Sequence, residues 1–549
     1  MSYAAGPMSD SRPALDDARA VLAAAEVLTA AAVARAAELT GKGERIDEHQ
    51  VIVERVAYAA TEVRAARSLV TAVLAQAADA PAFRDPALCA VAELARSARD
   101  RLDPVAFDLG VDADYSADVR AALHRLGNEA TVRAIGKAVA GVRGKNPWPL
   151  DQTLNEVRAT VRGFADKEVA PHAEHIHRHD DLVPDRFITA MAELGYFGLS
   201  IPEKFGGHEL GNLAMILTTE ELSRASLARA GSLITRPEIL AKALLAGGTD
   251  AQKAHWLPRI GSGEVMVAIS VTEPNIGSDV ASVACRAEPV TRDGVAGYVI
   301  NGAKAWCTFA GRANVIALLA RTDPDSSKGA RGLSLFIVEK PRFDGHELAA
   351  AQPGGGKLTG KADRTPGYRG MHSFTLAFED WFVPATNLVG EAGGLGKGFY
   401  LQMAGFAAGR LQTGGRACGV AQAALERTAE YVVSRGQFGK PIVEYGLTQF
   451  HLGRMACRLA AARAITYEAA VAMDADERAA APLAAQAKLF ACDVAVEVTQ
   501  LGQLLHGGWG YAEEYPISRY VVDALVLPIF EGVKPILVLK VIARALLAA

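Results

Sequence analysis

Glu531 stands in Leu527-Pro-Ile-Phe-Glu-Gly-Val-Lys-Pro-Ile536, a carboxylate beside a glycine and between apolar stretches. Burial destabilises the charged form of a carboxylate, raises its pKa toward neutrality and suits it to remove a reluctant proton. By itself it is one acid among 62, and most acids are solvated loop charges. Its neighbours add weight. Twenty-three residues upstream, Gly508 sits in His506-Gly-Gly-Trp-Gly-Tyr511, followed by Glu514-Tyr-Pro516. Earlier still, Thr272-Glu-Pro-Asn-Ile-Gly-Ser-Asp279 joins hydroxyls to a turn whose backbone N–H groups can meet a ligand's polar atoms. In Asn301-Gly-Ala-Lys-Ala-Trp-Cys-Thr308 an aromatic precedes a hydroxyl by two residues. Taken singly, the first is an ordinary turn and Trp306 an ordinary core residue.

The elements that must position these residues fall into regions. A chain of 549 residues has room for three or four domains with large cores. Residues 1–145 are alanine-rich and helical in pattern: Val51–Leu74 has apolar residues three and four apart, with breaks at Asp79-Ala-Pro81 and Asp103-Pro104. Gly141–Pro149 has the composition of a linker. Helical periodicity resumes over 146–266, with a turn at Lys204–Gly207. Between 267 and 386 the texture changes to short apolar runs bounded by Gly, Pro, Asn or Asp: Val265–Thr272, Gly297–Asn301, Val315–Ala320, Leu333–Val338 and Phe374–Phe378. That pattern predicts an all-β domain without intervening helices. Helical stretches return over 387–549. The segment His49–Tyr58 with Arg64-Ala-Ala-Arg67 is similar to Gln449–Ala456 with Ala460-Ala-Ala-Arg463. Either the first region is a decayed copy of the last, or both are unrelated amphipathic helices.

Composition narrows the partners. A net charge of -4 with both signs interspersed predicts no nucleic-acid surface and no polybasic membrane surface. No uninterrupted apolar stretch reaches the roughly 18 to 20 residues of a membrane span. Met1–Asp10 shows no basic-then-apolar leader. The six cysteines are scattered without a Cys-x-x-Cys pair, which predicts free thiols, no metal site and a cytoplasmic protein.

In order along the chain, Thr-Glu-Pro…Gly-Ser-Asp and Asn-Gly-x-Lys-x-Trp-x-Thr are followed by Phe378-Glu-Asp-Trp-Phe-Val-Pro384 and Arg435-Gly-Gln-Phe-Gly-Lys-Pro-Ile442. Then come Gly507-Gly-Trp-Gly-Tyr511, Glu514-Tyr-Pro516 and Phe530-Glu-Gly532. Over residues 150–549 this series resembles the acyl-CoA dehydrogenase family. The resemblance implies an α+β multidomain fold: a helical domain, a middle β-barrel or sandwich, and a C-terminal four-helix bundle, with the N-terminal helical region as an addition. It implies FAD as cofactor and α,β-dehydrogenation of an acyl-CoA thioester, with Glu531 as α-proton base and flavin N5 as hydride acceptor.

Roles follow residue by residue from the same resemblance. Val271 and Thr272 would meet the isoalloxazine edge, with Trp306 and Thr308 near its other face. Ser278 would bind the CoA chain, Arg410 would line the acyl-CoA site, and Gly532 would adjoin the thioester. Arg435 and Phe438 would reach the FAD of a partner subunit, where a guanidinium suits phosphate, and Gly508 would permit close backbone approach to the same dinucleotide. Some family members carry the base just before the matching arginine, with glycine where Glu531 stands; here Gly409 occupies that other place. Three positions depart from the family pattern: Val533, Gly446 and Leu504 replace a threonine and two glutamines that contact the cofactor. Gly355–Lys361 lacks the Ser or Thr of a phosphate loop, Gly393–Gly398 reads as a loop leading into a helix, and His506 reads as structural.

The long first region resembles that of the branch of the family that oxidises (2S)-methylsuccinyl-CoA to mesaconyl-CoA in the ethylmalonyl-CoA pathway. A carboxylated substrate needs a cation. Arg229 and Arg236, seven residues apart on an expected helix, are the candidates. Other expectations are electron-transferring flavoprotein as acceptor and a homodimer. The alternatives are another short or branched acyl-CoA, an oxidase that uses oxygen, or a non-catalytic flavoprotein scaffold.

Overall fold

The computed structural model describes residues 11–76 and 80–548. It divides into two compact units: one comprises the chain before Val157 together with the chain after Gln412, the other is Val157–Gln412. Both boundaries fall inside helices, Gln152–Phe164 and Gly398–Ser434.

The first unit is helical. Gln50–Leu74, Pro81–Leu102 and Glu129–Gly141 pack against the 30-residue helix Gly446–Ala475, which lies against Glu477–His506. Pro81 opens its helix at the position where a missing N–H is harmless, with Ala80 non-helical before it; Asp79 of the break expected there lies outside the described residues. Asp476 starts the last long helix by accepting from the N–H groups of Arg478 and Ala479. The two segments of the possible repeat both lie in helices that touch, and Arg64 of one is paired with Glu468 of the other.

Gly141–Pro149 is not a free linker. Asn146 is buried, donates to Ala456 O at 3.3 Å and accepts from Arg463 at 2.6 Å. Trp148 is wedged edge-on between Phe83 and Tyr467, with ring centroids 4.7 and 5.3 Å away. Composition suggested a spacer, but the tryptophan and the asparagine make it a packed strap. Two helices of this unit, Ala14–Thr40 and Glu477–Gly510, have length and mean hydropathy (1.6 and 1.3) sufficient to cross a membrane. In this fold both pack against neighbouring helices.

The second unit carries the sheet. Its strands are β1 (Val267–Ser270), β2 (Arg286–Arg292), β3 (Val295–Thr308), β4 (Val315–Arg321), β5 (Leu333–Glu339), β6 (Glu347–Ala351), β7 (Lys357–Ala362) and β8 (Ser373–Pro384). Their order is β1-β4-β2-β3-β8-β7-β6, with β5 also on β4. Pairing is antiparallel except where β4 meets β1 and β2. Helices Thr235–Gly247 and Asp250–Gly261 cover one end, where Leu240, Leu244, Trp256 and Leu257 pack on Val267, Val315 and Leu335.

β2, β6 and β7 were not expected. Each points a single buried residue inward (Ala287, Leu348 and Leu358 respectively) and is otherwise polar or exposed, so no apolar run announces it. Gly355–Lys361 forms a turn and β7 rather than a phosphate loop, and the Gly393–Gly398 cluster leads into the helix Gly398–Ser434.

Candidate active site

In the first unit, the chain around Glu531 is bent by two successive residues of positive φ, Glu531 (54°) and Gly532 (103°). Such a conformation is strained for a glutamate and must be held by its surroundings. Lys488, buried in the helix Glu477–His506, donates to the carbonyls of Phe530 and Gly532 at 2.6 Å each. The carboxylate itself is 8% exposed and points at the helix Gly398–Ser434. There the Thr413 hydroxyl donates to Oε2, and Arg416 Nη2 lies 2.5 Å from the same oxygen and 2.6 Å from Thr413 Oγ1. Arg416 is fully buried, with its guanidinium 4.6 Å from the centre of the Phe530 ring.

The base predicted at 531 is therefore sheltered, but it does not stand in purely apolar surroundings. A buried guanidinium shares its oxygen and pairs with its charge. Thr413, Arg416 and Lys488 were not singled out in the sequence. Helical spacing carried a signal for the first two: Gly409, Thr413 and Arg416 are at i, i+4 and i+7, on one helix face. Nearby, burial pushes the Cys492 thiol up to about 12. Asp493 accepts from Lys534 at 2.7 Å and from Tyr58 at 3.2 Å.

In the second unit, the predicted flavin motifs come together. Lys304 is buried, donates at 3.0 Å to Val271 O and pairs at 3.0 Å with Glu273, whose carboxylate also accepts from the N–H groups of Ala284 and Cys285. Ala305 N donates to Thr272 O at 2.9 Å. The turn after β1 is thus tied to β3 where the β3–β8 register slips, between Lys304 and Cys307. A bulge re-aims a side chain, and Trp306, with φ 58°, stands 58% exposed. Thr308 is buried beside Ser373 at 2.9 Å. Val271 is buried and joins a cluster that includes Phe399 and Phe406, and Ser278 is exposed on the turn.

Arg435 to Ile442 forms a two-stranded hairpin, Gly436–Gln437 with Lys440–Pro441. Its central residues Phe438 and Gly439 both have positive φ, as such two-residue turns require. Phe438 is 93% exposed and Arg435 is exposed. A Cβ at Gly508 would meet no atom of the chain, so the chain's own packing does not demand glycine there. Of the departures from the family pattern, Gly446 is covered by the Arg133 guanidinium, and Leu504 is exposed while Gln503 donates to Gly510 O at 3.1 Å. His506 is structural, bonded to Gly502 O at 2.7 Å and stacked on Tyr431.

Arg410 is half-buried and Gly409 buried on the helix Gly398–Ser434. Arg229 and Arg236 do not share one helix. Leu227–Gly231 is a wide π turn, and a new helix starts at Thr235, so seven-residue spacing does not align them. Arg229 lies against Gly370 and near the Phe187 ring; Arg236 donates to Ser232 O (3.1 Å) and Tyr368 Oη (3.0 Å). Two clusters in this unit have donor atoms at metal-like spacing, His175/His179/Asp181 and Asp180/His346/His372. In the second, His372 Nε2 lies 3.1 Å from Asp180 and 3.0 Å from His346.

The family models for the N-terminal, middle and C-terminal domains of acyl-CoA dehydrogenase match residues 151–264, 268–381 and 396–547. The chain belongs to the acyl-CoA dehydrogenase family and is a flavin-dependent oxidoreductase acting on acyl-CoA. Among its relatives, the (2S)-methylsuccinyl-CoA dehydrogenase of Cereibacter sphaeroides is 41% identical over 450 residues, covering 80% of this chain and 78% of that one. The butyryl-CoA dehydrogenase of Megasphaera elsdenii is similar in structure, with a TM-score of 0.66, 32% identity, and coverage of 73% of this chain and 100% of that one. A structure described as the electron transferring flavoprotein of Acidaminococcus fermentans gives 0.66 and 31%, with the same coverage.

Members of the family bind FAD. The residues present fit it. Trp306 and Phe438 are large aromatics that the chain leaves uncovered at two of the predicted flavin motifs, and the space over Gly508 is open.

Proposed function

We propose that this acyl-CoA dehydrogenase oxidises (2S)-methylsuccinyl-CoA to mesaconyl-CoA, with Glu531 as the α-proton base. The observation that carries the substrate is the extent of the match to the methylsuccinyl-CoA enzyme. It covers 80% of the chain, more than residues 150–549 can supply, and so runs into the N-terminal helices. Matches to the other relatives quoted stop near 73%.

In this reading Glu531 takes the α-proton in a site sheltered from water, where Lys488 fixes its backbone and Thr413 orients its carboxylate. Gly532 lets the backbone pass close to the thioester. Val271, Thr272, Trp306 and Thr308 would hold the isoalloxazine, Ser278 and Arg410 the acyl-CoA, and Arg435, Phe438 and Gly508 the dinucleotide of a partner subunit. Bound FAD supplies the hydride acceptor. Electron-transferring flavoprotein is the proposed oxidant of the reduced enzyme, supported by the similarity to the Acidaminococcus fermentans structure. A homodimer is proposed because the N-terminal helices already cover the helix Gly446–Ala475.

An anaerobic panel of branched dicarboxylic and plain short-chain acyl-CoA thioesters, scored by flavin bleaching, tests the reading. Fast bleaching by the branched dicarboxylic thioester is expected. Bleaching by plain short-chain thioesters and not by it would overturn the substrate.

A further inference from the structure

We propose that Arg416 determines specificity: it holds Glu531 in the free enzyme and yields it to the distal carboxylate of the substrate. The inference rests on the reading of Glu531 as base and of the substrate as a carboxylated thioester.

A fully buried arginine is costly unless its charge is matched, and a carboxylate bound to a guanidinium is a weaker base than one that is not. An enzyme needing only a base gains nothing from placing Arg416 Nη2 at 2.5 Å from Glu531 Oε2. An enzyme that must recognise an anion next to the reacting carbon does gain. In a thioester with a carboxylate on Cβ, that carboxylate is two bonds from the Cα whose proton Glu531 removes. The guanidinium that touches the base is therefore within reach of the substrate's anion, and its planar fork of donors suits a second carboxylate.

The charged and titratable groups around the pair fit this exchange. From the helix Gly398–Ser434 come Thr413 and Arg416; from Glu477–His506 come Lys488, Cys492 and Asp493; from the following segment comes Lys534. Asp493 is engaged by Lys534 and Tyr58. Two buried cations, Arg416 and Lys488, already meet the Glu531 segment, so an incoming carboxylate loses its water into a polar site.

When the substrate's carboxylate takes the guanidinium, Glu531 is released from that ion pair and receives the α-proton. A neutral isostere with methyl in place of carboxylate leaves the pair intact. Arg229 and Arg236, whose neighbours are Phe187, Gly370, Ser232 and Tyr368, pack within the other unit.

The test compares (2S)-methylsuccinyl-CoA with 2-methylbutyryl-CoA in single-turnover anaerobic bleaching of FAD-loaded wild type, R416M, R416K, R229A and R236A. Wild type is expected to prefer the dicarboxylic thioester by at least about 100-fold, since a site built for a polar group rejects the analogue lacking it. R416M is expected to bring the ratio below about 10-fold, the dicarboxylic reaction slowing far more than the neutral one. R416K, a point charge without the fork, is expected to fall between. A wild-type ratio in R416M, or equal loss of both rates, overturns the proposal. If R416M does not retain FAD, an unchanged ratio in R416K overturns it. So does loss of selectivity in R229A or R236A with R416M unaffected. Wild type that bleaches with neither thioester, or only with the neutral one, instead overturns the substrate reading.

Discussion

Lys488 grips Glu531 from behind: its ammonium binds the peptide carbonyls on both sides of that residue, each at 2.6 Å. The glutamate needs such a clamp because its φ of 54° is unfavourable for any residue with a Cβ. Lys488→Met would leave two carbonyls without this donor and relax the turn. We expect a stability loss of about 2–5 kcal/mol, visible as a lower melting temperature, and slower flavin bleaching even in protein that retains FAD. Unchanged bleaching would show that the turn holds itself.

Glu531→Gln keeps shape and hydrogen-bonding capacity but cannot accept the α-proton. The variant should bind FAD and acyl-CoA while bleaching falls by about 10²–10⁴-fold, the usual contribution of a general base. Stopped-flow bleaching at wild-type speed would remove Glu531 from the mechanism.

The Lys304–Glu273 pair lies under the predicted flavin motifs and ties the turn after β1 to the bulge in β3. Breaking a buried pair from one side costs about 3–5 kcal/mol. Lys304→Met should lower the melting temperature and reduce the FAD content of purified protein, read from the flavin absorbance per chain. Retention of both at wild-type levels would contradict the assigned role of the turn.

Phe438 offers the reverse case. At 93% exposed it contributes little to its own fold, so Phe438→Ala should change stability by less than about 0.5 kcal/mol. FAD should nevertheless dissociate about tenfold more readily, a loss of ~1.4 kcal/mol of ring contact. Equal FAD affinity in titrations would take the hairpin out of the cofactor site.

How far the sequence alone carries is visible in particular residues. Glu531, Trp306 and Thr308 could be singled out because motif order survives in one dimension, and β1, β4 and β5 were legible because buried strands read as apolar runs. Arg416 and Lys488 were not, because a charged residue within an alanine-rich helix reads as solvated until a partner elsewhere in the chain is known. Gly141–Pro149 misled for the opposite reason: its Gly and Pro content hid a tryptophan that packs. The single-helix reading of Arg229 and Arg236 failed at Ser232–Ile234, where no proline marks the break.

The cysteines give an independent check on burial. None of the six forms a disulfide and all are buried, and burial pushes Cys285 up to about 11 and Cys307 and Cys492 up to about 12. At pH 8 these three remain thiols, which do not attack alkylating reagents. Native protein should leave them unlabelled by iodoacetamide in peptide mass spectra, and denatured protein should label them. Rapid native labelling of Cys492 would mean that the Glu531 region opens readily to solvent.

The first unit is assembled from both ends of the chain, and this dictates when it can form. Helices Gln50–Leu74 and Pro81–Leu102 leave the ribosome early, yet the helix they pack on begins at Gly446. At 5–20 residues per second, the earlier surfaces wait roughly 20–75 s for their partner, while Val157–Gln412 is made as one continuous stretch. Synthesis therefore passes through an interval in which the middle of the enzyme is already made and the N-terminal helices still hold open the face that meets Gly446–Ala475. During that interval the cell's chaperones have something to bind.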